Sequence, residues 1–163
     1  MGRAPKRIVR RVLAGFVLLL LAQGGLAAQP PDNQAGRAIY LDGQLPSGDP
    51  VRATVQKGVA LSGAAAACVH CHRRSGLGGS EGQNPIRPIA GRLLFSSSQT
   101  EFVRRRAVAG GAAEGRPAYT RASLARALRE GVDPTGRVLD ALMPRYALGD
   151  AEIDPLHAYL DGL

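Results

Sequence analysis

The 163-residue sequence predicts an all-α fold, one small helical domain with long loops, preceded by a short β-hairpin-like N-terminal extension. Three observations carry that expectation. In the C-terminal half, apolar residues recur at helical spacing behind recognisable N-caps. From 73 to 92 a Gly- and Pro-rich stretch excludes long regular structure. Upstream, Val51, Ala53 and Val55 alternate with Arg52 and Thr54 after two turn dipeptides, a strand pattern confined to one short region.

Residues 1–28 read as a signal peptide. Arg3, Lys6, Arg7, Arg10 and Arg11 form a basic start, Val12 to Ala22 is apolar, and Gly25-Leu26-Ala27 offers small residues for cleavage. The apolar run falls short of the roughly 20 residues that span a bilayer. An uncleaved N-terminal anchor is the alternative. Residues 29–35, with Pro30-Pro31, read as a disordered start. The extension then runs to residue 57, its hairpin-like part lying between Ile39 and Val55, with Asp42-Gly43 and Ser47-Gly48 as turns.

Residues 58–163 form the main domain. A helix is expected over Ala60 to Cys71, led in by Gly63 and four alanines, then a loop over 73–92. Ser98-Gln99-Thr100-Glu101 is a capping box opening a helix to Ala109, stopped by Gly110-Gly111. Thr120 caps the next helix, which carries Leu124 and Leu128 on one face and ends at Gly131. Asp133-Pro134-Thr135-Gly136 is a turn. Asp150 caps the last helix, with Ile153, Leu156, Tyr159 and Leu160 as its inward stripe and Pro155 as an awkward member near its start.

Charge says less than the formal +8 implies. Five of the 21 Lys and Arg residues and none of the 13 acids fall in 1–28, so the remainder carries +3. The only basic run, Arg104-Arg105-Arg106, fits the solvated face of a helix. No basic patch interleaved with aromatics points to nucleic acid. About 135 residues after the leader make one domain. Two Phe, four Tyr and no Trp supply its aromatic volume.

The chemistry is concentrated in Cys68-Val69-His70-Cys71-His72. Two cysteines three apart followed by histidine form a c-type haem attachment site. The thiols add across the two haem vinyl groups, and His72 is carried beneath the porphyrin as an iron ligand. Rival readings fare worse. A thioredoxin-type pair needs a strand before it, and the small residues 63–67 provide none. A closed zinc site needs four ligands, yet the sequence has two cysteines and one histidine, His157, outside the motif. Export fits, because haem c is attached outside the cytoplasmic membrane.

A six-coordinate iron needs a partner opposite His72. Beyond the leader the one methionine is Met143, in a loop ahead of the last helix, and its neutral thioether favours ferrous iron. His157 is the competing ligand. His70 points away on its own turn.

With these residues the chain resembles the class I c-type cytochromes over roughly 58–163. The matching pieces are Cys68/Cys71/His72, Pro88-Ile89-Ala90-Gly91, Met143-Pro144-Arg145-Tyr146-Ala147-Leu148 and Leu156-His157-Ala158-Tyr159-Leu160. The resemblance implies a small α-domain whose first and last helices cross, holding one covalent haem c with an exposed edge. It also implies a proline, Pro88 or else Pro85, whose carbonyl accepts a hydrogen bond from the haem histidine. The family's Gly-x-x-x-aromatic pattern appears as Gly36-x-x-x-Tyr40, 28 residues before Cys68. Either an insertion displaced it, or the first helix begins near Gly58. Arg116, Tyr119, Arg137 and Arg145 are the candidates for the haem propionates, which need charge-assisted partners when buried.

The function implied is electron transfer rather than catalysis. The protein is expected to be a periplasmic monohaem cytochrome carrying single electrons, as a free carrier or as the electron-accepting subunit of a periplasmic dehydrogenase. Its partner would be a redox protein: a dehydrogenase, another cytochrome or an oxidase. The alternative is a haem enzyme or gas or redox sensor whose sixth ligand is labile.

Overall fold

The computed structural model describes residues 31–96 and 116–163. The expected leader, the 98–109 helix and Arg104–Arg106 lie outside them. Helix α1 (Pro31–Asp42) occupies the stretch expected to be disordered or hairpin-like. Its inward residues Gly36, Ile39 and Tyr40 are spaced three and four apart, a helical face that alternation further along the segment had obscured. Ile39 and Tyr40 are completely buried. Burying two such side chains stabilises by about 1.5–3 kcal/mol each, enough to fix the helix.

Strand β1 (Arg52–Val55) turns back into β2 (Val59–Ser62), with Arg52 opposite Ser62 and Val55 opposite Val59. The alternating Val51–Val55 run is therefore a strand, and the hairpin extends into residues expected to be helical. A 3-10 turn over Gly63–Ala66 follows, and only Val69–His72 (α2) is α-helical. The helix propensity of the alanines is a weak prior that tertiary pairing overrides. Here Gly63 N–H donates to Val51 O at 2.8 Å and holds the segment on the sheet. Within 73–92, a short hairpin of β3 (Gly79–Glu81) and β4 (Asn84–Ile86) precedes α3 (Gly91–Leu94).

Helix α4 (Arg121–Glu130) begins and ends as its sequence dictates. Thr120 Oγ1 accepts from Ser123 N–H at 3.2 Å while Ser123 Oγ accepts from Thr120 N–H at 2.8 Å. Gly131 closes it in the left-handed region at φ +70°, and Leu124 and Leu128 are buried. After the 133–136 turn, β5 (Arg145–Tyr146) joins β1, giving the antiparallel order β2-β1-β5 with Ala53 opposite Tyr146 and Thr54 opposite Arg145. Helix α5 (Asp150–Asp161) buries Ile153, Leu156 and Leu160; its N-cap is Gly149 rather than Asp150, and it runs through Pro155.

The all-α expectation is therefore wrong: five α-helices share the described residues with two antiparallel sheets. Nor is the N-terminal part an appendage, because α1 and α5 form the most extensive helix pair. Gly36 makes that crossing possible. A β-carbon there would overlap the Pro155 carbonyl and lie 2.7 Å from Tyr159 Cβ. Tyr40 then stacks obliquely on Tyr159, ring centres 5.3 Å apart. The Gly36-x-x-x-Tyr40 pattern thus lies on the first helix, and the β1–β2 hairpin stands between it and the cysteine motif. One core joins Tyr40, Val51, Ala53, Cys68, Leu94, Leu124, Tyr146 and Ile153.

Candidate haem-binding site

The motif is a single helical turn. His72 N–H donates to Cys68 O at 2.9 Å and Arg73 N–H to Val69 O at 2.8 Å, which sets Cys68, Cys71 and His72 on one face. The turn stops because Arg73 adopts φ +61°. That uncommon conformation for a side-chain-bearing residue is anchored from α1: the Tyr40 hydroxyl donates to Arg73 O at 2.7 Å. Burial, then the neighbouring Cys68 and Tyr159, pushes the Tyr40 phenol well above its ordinary pKa, so it remains a donor. The glycine of the Gly-x-x-x-Tyr pattern sets the helix crossing, and the tyrosine fixes the exit of the cysteine turn.

His72 is 8% exposed. Its Nδ1 lies 3.1 Å from Arg87 O, which makes Nδ1–H the donor and leaves Nε2 with its lone pair and no protein partner among the described residues. Burial lowers the imidazole pKa, opposed by the Arg87 carbonyl, so the neutral ring that metal coordination requires is favoured. The acceptor is the residue before Pro88, neither Pro88 itself nor Pro85, which lies in β4. Pro88 still contributes, since a following proline confines Arg87 to extended backbone. Gly76 O ties this stretch down by accepting from Ile89 N–H at 2.7 Å and Ala90 N–H at 3.1 Å.

Both cysteines are free thiols. Burial holds Cys68 up at about 11, against a hydrogen bond with the Tyr146 hydroxyl that draws it down. Cys71 is half-buried and also raised, by desolvation first and then by Glu81. Tyr146 was missed as a site residue in the sequence reading. Its position three residues after Met143, within Met143-Pro144-Arg145-Tyr146, was the available signal. Through Tyr146, β5 brings the Met143 loop onto the cysteine turn.

Met143 is half-buried against the same core as Cys68. Its loop is built by Asp140, whose side chain accepts from Leu142 N–H at 2.8 Å and whose carbonyl accepts from Met143 N–H at 3.1 Å. Neither other histidine joins the motif's face. His70 Nε2 is 2.8 Å from Ala64 O, and His157 stacks on Phe95 with ring centres 4.2 Å apart. No three His, Cys, Asp or Glu side chains gather as a bare metal site among the described residues.

Three of the four propionate candidates gather. The Arg116 guanidinium sits 4.3 Å over the Tyr119 ring, and Arg116, Arg137, Arg87 and Asp133 all act electrostatically on the Tyr119 hydroxyl. Asp133, buried under the 133–137 turn, accepts from both the Nε and a terminal nitrogen of Arg137 at 3.2 and 3.1 Å. Three guanidiniums against one carboxylate leave a local excess of positive charge. Arg87 was not among the candidates. Arg145 is placed otherwise: its guanidinium donates to the carbonyls of Met143 and, at 3.1 Å, Leu139.

The donor set fits a covalently held haem. Two free thiols occupy one helical turn, and a neutral imidazole with an open Nε2 follows directly. A family model described as cytochrome c matches residues 55–163. No curated protein and no solved structure matches the chain.

Proposed function

Because the chain belongs to the cytochrome c family, we propose that it is an exported, periplasmic monohaem cytochrome that carries single electrons. It serves as a free carrier or as the electron-accepting subunit of a periplasmic dehydrogenase, and it passes electrons rather than transforming a substrate. The observation that carries the reading is His72, pinned through Nδ1 to Arg87 O with Nε2 open beside two free thiols. The single motif supports one haem. When bound, haem c supplies an iron that accepts and releases one electron. Cys68 and Cys71 would hold it through thioether bonds, and His72 Nε2 and the Met143 sulfur would bind its iron. The Arg87 carbonyl keeps the His72 proton on Nδ1 and thereby sustains ligand basicity.

Arg87, Arg116 and Arg137 supply positive charge, and Tyr119 a neutral hydroxyl donor, for two propionates; Arg116 also donates to Pro117 O at 2.9 Å and Arg137 to Asp133 at 3.1 Å. The basic, apolar and small-residue order of residues 1–28 supports export. No helix of the described residues is long and apolar enough to cross a membrane. The redox partner docks transiently over a small interface.

The test uses protein made in a cell with haem-attachment machinery and recovered from the periplasm. Haem that survives denaturation, one reducing equivalent per chain in a redox titration, and slow carbon monoxide uptake by the reduced form are expected. Rapid carbon monoxide uptake at neutral pH would instead identify a haem with a vacant or labile position.

A further inference from the structure

Arg145 is half-buried on β5, two residues beyond Met143. Among the described residues its guanidinium pairs with no acid but with backbone carbonyls. One terminal nitrogen donates to Met143 O and the other to Leu139 O at 3.1 Å. Its planar fork therefore spans two carbonyls of one loop, a geometry that a lysine point charge reproduces only in part. The guanidinium lies directly over Gly131, where a β-carbon would collide with its Nε and Cζ. Leu139 N–H donates to Gly131 O at 2.7 Å, so the same contact ties the end of α4 to the loop. On the other side the Arg145 backbone is held opposite Thr54 of the hairpin, and Ala147 N–H donates to Arg52 O at 2.9 Å.

From this arrangement we propose that Arg145 is a positioning residue for the sixth ligand. Its guanidinium, seated on Gly131 and backed by the β1–β2 hairpin, fixes the Met143 loop so that the sulfur stays over the iron. The inference rests on Met143 being the axial ligand. It assigns the hairpin standing between Tyr40 and the cysteine turn a role as the outer wall of the methionine loop. No bond changes; the effect is on the equilibrium between Met143 on and off the iron, which an added ligand reads directly. Loosening one side of such an equilibrium raises the apparent affinity of any competitor for that position.

The experiment measures imidazole binding to the ferric holoprotein by absorbance, in wild type, Arg145→Gln, Arg145→Lys, Gly131→Ala and Met143→Ala. Arg126, paired with Glu130 on the exposed face of α4, provides Arg126→Gln as control. Arg145→Gln should bind imidazole at least tenfold more tightly than wild type, with Arg145→Lys between them. Gly131→Ala, which displaces the guanidinium and also strains the left-handed end of α4, should follow Arg145→Gln, and Arg126→Gln should match wild type. If Arg145→Gln yields no holoprotein, the Lys and Gly131→Ala variants make the same comparison. Wild-type affinity in the Arg145 and Gly131 variants, with Met143→Ala binding much more tightly, would overturn the role of Arg145 alone. Wild-type affinity in Met143→Ala as well would show that Met143 is not the ligand.

Discussion

The His72 side of the site is closed by bonds made almost wholly within residues 68–90, whereas the Met143 side depends on contacts reaching back to Arg52 and across to Gly131. On the first side, a helical turn and a proline-shaped carbonyl position the imidazole, with Tyr40 and Tyr146 as struts from elsewhere in the chain. On the second, the loop carries its own Asp140 turn, but its placement is set by β1, by the end of α4 and by one guanidinium. A ligand held by local bonds survives perturbation elsewhere. One held at a distance is sensitive to the whole fold, and this makes the methionine side the adjustable half of the site.

The largest expected effect breaks the local half. Replacing both Cys68 and Cys71 by serine should abolish haem that persists through denaturing electrophoresis, while the wild type retains it. Next comes the crossing of α1 and α5, which carries the Tyr40 strut. Gly36→Val forces a side chain into the Pro155 carbonyl and should cost about 3 kcal/mol, seen as a lower denaturant midpoint. An unchanged midpoint would show that the α1–α5 crossing relaxes freely.

Two smaller changes sharpen the remote half. Asp133 is buried, which raises its pKa, but hydrogen bonds from Thr135 and Arg137 outweigh burial and hold it at about 2. Folding thus depresses the carboxylate, so its contribution is present above the unfolded value near 4 and is lost as pH falls towards about 2. Asp133→Asn should lower stability at pH 7 by about 2 kcal/mol and flatten the acid limb between those values in a pH series of urea melts. Thr120→Ala removes the α4 cap and should cost about 1 kcal/mol, measured the same way.

The contrast also explains what could be read from the sequence. The cysteine turn, the imidazole, the Thr120 cap and the Gly131 stop are local patterns, and each lies where its residues placed it. The acceptor for His72 was displaced by one residue because a proline marks a bend without saying which neighbouring carbonyl faces inward. The hairpin was displaced further. Alternation from Val51 to Val55 announced one strand, but its partner Val59–Ser62 has no pattern of its own and precedes an alanine run that resembles a helix. Helix α1 was legible only through the Gly36-x-x-x-Tyr40 resemblance, since the face formed by Gly36, Ile39 and Tyr40 is completed by Pro155 and Tyr159 at the far end of the chain. Arg145 could not be distinguished from a propionate partner, because a side chain's direction is decided by the sheet it stands on.

The pairing proposed for this site is an iron bound by both His72 and the sulfur of Met143. Its most direct test is the absorption spectrum of the ferric holoprotein in the far-red region, where a sulfur-to-iron charge-transfer band is diagnostic. That band is expected in the wild type and should be lost completely in Met143→Ala, with covalent haem retained. A band that persists in Met143→Ala, or is missing from the wild type, would contradict it.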